Sequence, residues 1–161
     1  MKNNVIVLSC EPKGRFVEGF INAGETPKPG TIMQIDPTQA NVGGRHVWKT
    51  YAPGADGENP LGPHIVLTND FLRGISVETA YAAGDRCFGY IPLPGDELNL
   101  LVKNIAGTAD DHALGEKLMV DHGTGMMIAT TGTPENEVAV LKEAITDPTA
   151  DTLAWCEWSG H

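Results

Sequence analysis

Apolar residues recur along this chain in short runs, separated by clusters of glycine, proline, asparagine and aspartate. In one run Leu98, Leu100 and Val102 alternate with Asn99 and Lys103, a period of two that is typical of a half-buried strand. Short apolar runs bounded by turn residues predict β-strands. The predicted strands are Val5–Leu8, Arg15–Ile21, Thr31–Asp36, Val47–Tyr51, Ile65–Thr68, Arg86–Ile91, Leu98–Val102, Leu118–Val120, Met126–Thr130, Val138–Ile145 and Leu153–Trp158.

Two of the segments between predicted strands contain residues that predict a particular local structure. Ser76 can cap a two-turn helix over Val77–Ala83, with Glu78 near the positive end of its dipole and Gly84 as its stop. The glycine-bearing segment Asp121–Gly125 lies between two predicted strands, which indicates a hairpin. The sequence has no internal repeat and no long linker. We therefore expect one mainly β domain, residues 1–161, with about ten short strands, one short helix and residues 1–14 as a possible arm.

Composition supports this class. The 161 residues include 19 glycines and 11 prolines, about 19% together against a usual ~12%, so turns are frequent. The formal net charge is −10, which argues against binding nucleic acid or anionic membranes, since both need a basic surface. No apolar run approaches the ~18 residues of a membrane span. The three cysteines are far apart in sequence, which predicts reduced thiols in a protein made in a cytoplasm.

No motif predicts catalysis, and we expect neither cofactor nor metal. Asp111–His112 and Asp121–His122 could assemble a metal site, but their spacing specifies no geometry, so we interpret them as solvated loop histidines. Cys87 follows Arg86, which could lower its pKa, yet a buried small thiol is the commoner case. Paired carboxylates need only proximity in space, so a glycosidase-like pair stays open.

The positions of the three tryptophans predict which of them lie in the core and which can lie at the surface. Trp48 is a predicted core anchor. Trp155 and Trp158 differ by three positions, so on one straight strand they face opposite sides. One of them can therefore point out of the core toward a partner.

Several stretches, in their order along the chain, resemble one protein family. These are Val17–Phe20 leading to Lys28–Thr31, Gly44–Trp48, Asp70–Gly74, Ala80–Arg86, Pro94–Asn99 and Leu114–Leu118. Together with the intervening hairpin and the closing strand, they are similar to the head decoration (capsid cement) proteins of tailed bacteriophages. The resemblance extends from about Glu18 to the C-terminus.

The resemblance implies a compact, β-barrel-like fold, similar to the β-tulip of the lambda-type decoration protein. It implies a homotrimer that binds the major capsid protein on the outside of the expanded shell, at threefold or quasi-threefold axes. Two other functions stay open from the residues. One is a carbohydrate- or receptor-binding β-module on a virion or cell surface, and the other is a small hydrolase with a carboxylate pair.

The N-terminal segment is the predicted capsid contact. Val5–Leu8 is an uncharged, β-prone run close to the N-terminus. Such a strand can complete the barrel of its own chain, or it can add to an exposed edge of the capsid protein or of a neighbouring subunit. We expect the second, because termini are easily lent to a partner. The predicted capsid-contact residues are Asn4, Val5, Ile6, Val7 and Leu8.

Overall fold

The computed structural model describes residues 5–8, 11–52, 63–104, 111–130, 137–146 and 148–160. Its ten strands are β1 (Arg15–Ile21), β2 (Ile32–Ile35), β3 (Val47–Thr50), β4 (Ile65–Leu67), β5 (Arg86–Ile91), β6 (Glu97–Val102), β7 (Lys117–Val120), β8 (Met127–Ala129), β9 (Ala139–Leu141) and β10 (Thr152–Trp158). The predicted mainly β class is confirmed. Among the described residues the helical content is a single 3-10 turn, Phe71–Arg73.

The ten strands close into two five-stranded barrels with the same topology. The first has the order β1-β3-β2-β4-β5 and the second has β6-β8-β7-β9-β10. In each barrel the first and third strands pair in parallel and the other neighbours are antiparallel. The second barrel therefore repeats the pairing of the first, although the sequence shows no repeat.

The first barrel is filled around the indole of Trp48, which is 2% exposed. Gly19 on β1 and Gly89 on β5 face this ring, and a Cβ on either would come within 3 Å of it. Ile21, Met33 and their neighbours complete the interior cluster. Two strand glycines therefore make the space that a large aromatic side chain occupies, and the predicted core role of Trp48 is confirmed.

The second cluster fills the second barrel and extends into the contact between the barrels. Ile32, Val66 and Tyr90 lie on the outer side of the first barrel and pack with the interior residues of the second, including Leu98 and Leu118. Burial of this apolar surface at roughly 25 cal/mol per Å² holds the two barrels together. Asp96, in the connection between β5 and β6, is buried and accepts hydrogen bonds from the backbone N–H of Leu93 in that connection and from that of Lys13 before β1.

The helix predicted over Val77–Ala83 is wrong. The segment is extended with turns, and Ser76 Oγ accepts a hydrogen bond from the backbone N–H of Glu78 at 3.3 Å, which is an ST turn. Tertiary contacts take the backbone groups that a helix would use, since the N–H of Tyr81 donates to the carbonyl of Pro27 at 2.9 Å. A two-turn helix is too short to compete with such contacts.

Candidate interaction surface

The outer side of β1 and β5 carries three of the four phenylalanines of the chain. Directly paired residues of antiparallel strands share one face of the sheet. The outward pairs are Phe16↔Tyr90, Glu18↔Phe88 and Phe20↔Arg86. Phe16 is 60% exposed, and Phe20 and Phe88 are half-buried. We name the surface made of Phe16, Glu18, Phe20, Arg86, Phe88 and the adjacent Arg45 the aromatic–arginine face.

Ionic contacts organise this face. Arg45 Nε lies 2.8 Å from Glu18 Oε2, and Arg86 Nε contacts the other oxygen of the same carboxylate. Burial by itself would raise the pKa of Glu18, but the two guanidinium groups hold it below its usual value. The Arg86 guanidinium also lies 5.4 Å from the centre of the Phe88 ring, in cation–π range. The two arginines and one carboxylate leave one net positive charge on a chain that is otherwise acidic.

The aromatic–arginine face continues into the contact between the barrels. Phe16 packs on Tyr90, with ring centres 5.0 Å apart, and Tyr90 is fully buried in the inter-barrel cluster. One side of β5 thus contributes Tyr90 to an internal interface and leaves Phe88 partly exposed and Arg86 exposed to solvent. Exposed aromatic and arginine side chains in one patch are typical of protein interfaces.

The second barrel has an outward aromatic residue on its last strand. On β10 the side chains of Ala154, Cys156 and Trp158 point into the core, and Trp155 and Glu157 point out. Trp155 is 36% exposed and Trp158 is 3% exposed. The prediction that the two tryptophans face opposite sides is confirmed. We name the surface made of Glu97, Val140, Lys142, Glu143, Trp155 and Glu157 the tryptophan face.

The cysteine and histidine residues considered above as catalytic or metal-binding candidates lie either in the core or in an exposed turn. Cys87 and Cys156 are buried, and burial raises the pKa of each thiol to about 12; the interpretation of Cys87 as a buried thiol is confirmed. His112 is buried, not solvated as predicted, and its Nδ1 lies 2.9 Å from a Glu116 carboxylate oxygen. His122 is exposed in the hairpin turn, as expected.

Two findings apply to the described part of the chain. It contains no cluster of three or more His, Cys, Asp or Glu side chains placed to hold a metal ion. It also contains no helix with the length and apolar character needed to cross a membrane.

Comparison with known proteins gives a structural neighbour. No family model matches the sequence, and no curated protein matches it. The fold is similar to the crystal structure of the head fiber gp8.5 N base of bacteriophage phi29, with a TM-score of 0.53. The match covers 90% of this chain and 95% of that chain, at 10% sequence identity. At this identity the likeness establishes a shared fold.

The predicted capsid-contact segment lies against β6 of its own chain. Val7 forms an antiparallel bridge with Leu98, and the backbone N–H of Asn99 donates to the carbonyl of Ile6 at 2.7 Å. Ile6 is 1% exposed and belongs to the core cluster, whereas Val5 is 42% exposed. The segment therefore uses one side chain as an anchor and leaves another at the surface. Asn4 lies outside the described residues.

Sequence reasoning did not single out the aromatic–arginine face. The sequence feature that could have revealed this face is the spacing of Phe16, Glu18 and Phe20 at every second position, which puts all three side chains on one side of a strand. That parity does not say which side is the interior. Only the position of Trp48 inside the barrel decides that the phenylalanines point outward.

Proposed function

We propose that this chain is a structural protein of a phage virion. In this proposal it binds as a trimer to the outside of the expanded capsid, at threefold or quasi-threefold axes, and stabilises the shell. Its partners are the major capsid protein and further copies of itself, and it acts through its surfaces rather than through catalysis.

The observation that carries this proposal is the shared fold with the base of a phage head fiber over nine-tenths of the chain. The ordered series of short motifs that resembles phage decoration proteins is independent support, because it was read from the residues and not from the fold.

The chemistry of the surface supports a binding role. The aromatic–arginine face is open, and its arginines are held by Glu18 rather than arranged around a cleft. The thiols of Cys87 and Cys156 are buried and their pKa values are raised, so these two thiols are poor nucleophiles. A net charge of −10 keeps a surface protein soluble and away from nucleic acid.

The N-terminal segment is the proposed contact with the shell. Ile6 anchors the segment to the core, and Val5 beside it presents an apolar side chain to the outside. A contact of this kind is weak for one copy and becomes effective when three copies bind together.

The test is binding of the purified chain to expanded capsids of its own phage that lack it, followed by sedimentation and cryo-electron microscopy. We expect bound density in groups of three about local threefold axes, and greater resistance of the decorated shells to heat. Unexpanded shells are the matched control and should bind far less. Density grouped in any other way would contradict the trimer. Failure to bind shells, together with binding to host cells or glycans, would favour a receptor-binding module.

A further inference from the structure

The aromatic–arginine face and the tryptophan face occupy corresponding places in the two barrels. The first lies mainly on β1 and β5, and the second mainly on β6 and β10. These are the first and last strands of barrels with the same topology. The chain therefore carries two related surfaces with different side chains on them.

The two faces differ in charge. On the aromatic–arginine face, Arg45 and Arg86 surround the single carboxylate of Glu18, which leaves a net positive charge. The tryptophan face has three carboxylates and one ammonium group. These are Glu97, Glu143 and Glu157, with Lys142 Nζ 2.7 Å from Glu157 Oε2. Its net charge is negative.

The two faces also share an aromatic character that suits an interface. Phe16 is 60% exposed on one and Trp155 is 36% exposed on the other. Aromatic and arginine side chains contribute most to binding energy when a partner excludes water from them. Opposite net charges steer the surfaces together and oppose pairing of either face with itself.

We propose that the aromatic–arginine face of one copy binds the tryptophan face of a second copy. Such a contact is heterologous, because each copy uses a different surface on each side, and repeated contacts of this kind close into a ring when the rotation permits. The contact brings unlike charges together on a chain that carries −10 overall. This inference depends on the proposed function in one respect only, which is that the ring contains three copies.

The test is chemical cross-linking of two differently tagged proteins. One carries Val42→Cys, at the rim of the aromatic–arginine face, where Val42 is 47% exposed and bridges to Arg45. The other carries Val140→Cys, which pairs with Glu157 beside Trp155. Cys10→Ser is present in both proteins, and we expect no reaction at Cys87 and Cys156 because their thiols are buried. A short bismaleimide is added to concentrated protein, first in solution and then on shells.

We expect covalent dimers that contain both tags. Phe88→Asp or Trp155→Asp should lower their yield roughly tenfold, since a buried charge replaces an aromatic anchor. Leu114→Asp is the matched control, because Leu114 is 68% exposed and belongs to neither face, and it should leave the yield unchanged. Added salt should lower the yield, because charge attraction between exposed groups is screened.

Three outcomes would overturn the inference. Dimers that join two copies of the same tagged protein would indicate a self-complementary contact instead. A yield unaffected by Phe88→Asp and Trp155→Asp would mean that these faces are not the interface. Absence of mixed dimers both in solution and on shells would exclude the contact. If the protein binds shells but forms no mixed dimers, this inference fails and the proposed function stands. If mixed dimers form in solution but the protein does not bind shells, the inference stands and the proposed function fails.

Discussion

At the scale of the residue, Asp96 links the two barrels through hydrogen bonds. Its carboxylate accepts from the backbone N–H groups of Lys13 at 2.8 Å, Gly14 at 3.1 Å and Leu93 at 2.9 Å, and from the Tyr90 hydroxyl at 2.7 Å. Burial by itself would raise the pKa of Asp96, but these donors hold it below its usual value. The carboxylate joins the connection between β5 and β6 to the residues that precede β1.

Asp96→Ala should therefore lower the free energy of unfolding by about 3 kcal/mol, because several buried donors lose their acceptor together. Urea denaturation measures this change. Glu11→Ala, at an exposed position, is the control and should change stability by less than about 0.5 kcal/mol. Equal effects of the two substitutions would show that the Asp96 cluster is not stabilising.

The packing of Trp48 against Gly19 and Gly89 makes a second prediction. A Cβ at position 19 would stand 2.6 Å from Nε1 of Trp48, and one at position 89 would stand 2.9 Å from Cζ3. Gly19→Ala, where the nearest atoms all belong to Trp48, should destabilise the protein by about 1–3 kcal/mol through overpacking. Trp48→Phe in the same chain should recover part of that loss, because the smaller ring leaves room, and a double-mutant cycle in urea measures the coupling. Strictly additive effects would contradict the contact.

His64 predicts an acid-sensitive fold. Its ring lies 4.9 Å from the Tyr51 ring and 5.5 Å from the Trp158 ring, and burial lowers its pKa to about 4. Between pH 6.5 and 4 the unfolded chain takes up a proton that the folded chain does not, so stability falls as the pH falls. The loss is up to about 3 kcal/mol.

His64→Phe keeps an aromatic ring in place and should remove this part of the pH dependence. Urea unfolding at a series of pH values between 7 and 4 measures the difference. His122→Gln, in the exposed hairpin turn, is the control and should keep the wild-type pH dependence. A His64→Phe protein as acid-sensitive as the wild type would show that the loss arises from other groups.

At the scale of the element, the N-terminal segment places a buried and an exposed apolar residue next to each other, so folding and the proposed shell contact can be tested separately. Ile6 is in the core and Val5 is at the surface. Ile6→Ala should lower the free energy of unfolding by about 2–4 kcal/mol, as buried large-to-small changes do. Val5→Asp should leave stability nearly unchanged and weaken binding to expanded shells. Full binding by a folded Val5→Asp protein would mean that the shell contact lies elsewhere.

At the scale of the whole molecule, the shared core predicts a single unfolding transition. Tyr90 and Val66 of the first barrel pack in the same cluster as Leu98 and Leu118 of the second. Separation of the barrels would expose this cluster to water, so neither barrel is expected to unfold first. Two variants, each with one remaining tryptophan, report the two barrels separately. In the variant with Trp155→Phe and Trp158→Phe, the fluorescence of Trp48 reports unfolding of the first barrel. In the variant with Trp48→Phe and Trp155→Phe, the fluorescence of Trp158 reports unfolding of the second barrel. In each protein, fluorescence and far-ultraviolet circular dichroism should give the same midpoint; separate midpoints would contradict a shared core.

The sequence by itself determined where ten of the eleven predicted strands lie. The predicted strand Val5–Leu8 forms only an isolated bridge, and within the predicted Val138–Ile145 the strand is Ala139–Leu141. Arg15–Ile21 and Arg86–Ile91 have the predicted bounds, and the hairpin around Asp121–Gly125 joins β7 and β8 as expected. These features depend on local pattern, since turn residues end a strand and alternation sets two opposite faces. The same parity was enough to place Trp155 and Trp158 on opposite sides of β10.

Only the tertiary structure decided how the strands pair and which face is inside. Closure of two barrels depends on contacts between distant residues, such as the parallel pairing of Phe20 with Val47, which no local pattern specifies. The same contacts override the helix signal at Val77–Ala83, and they direct Phe16, Phe20 and Phe88 outward because Trp48 fills the interior. The candidate interface was hidden in the sequence for this reason: alternation distinguishes two faces, and burial is assigned to one of them only when the barrel closes.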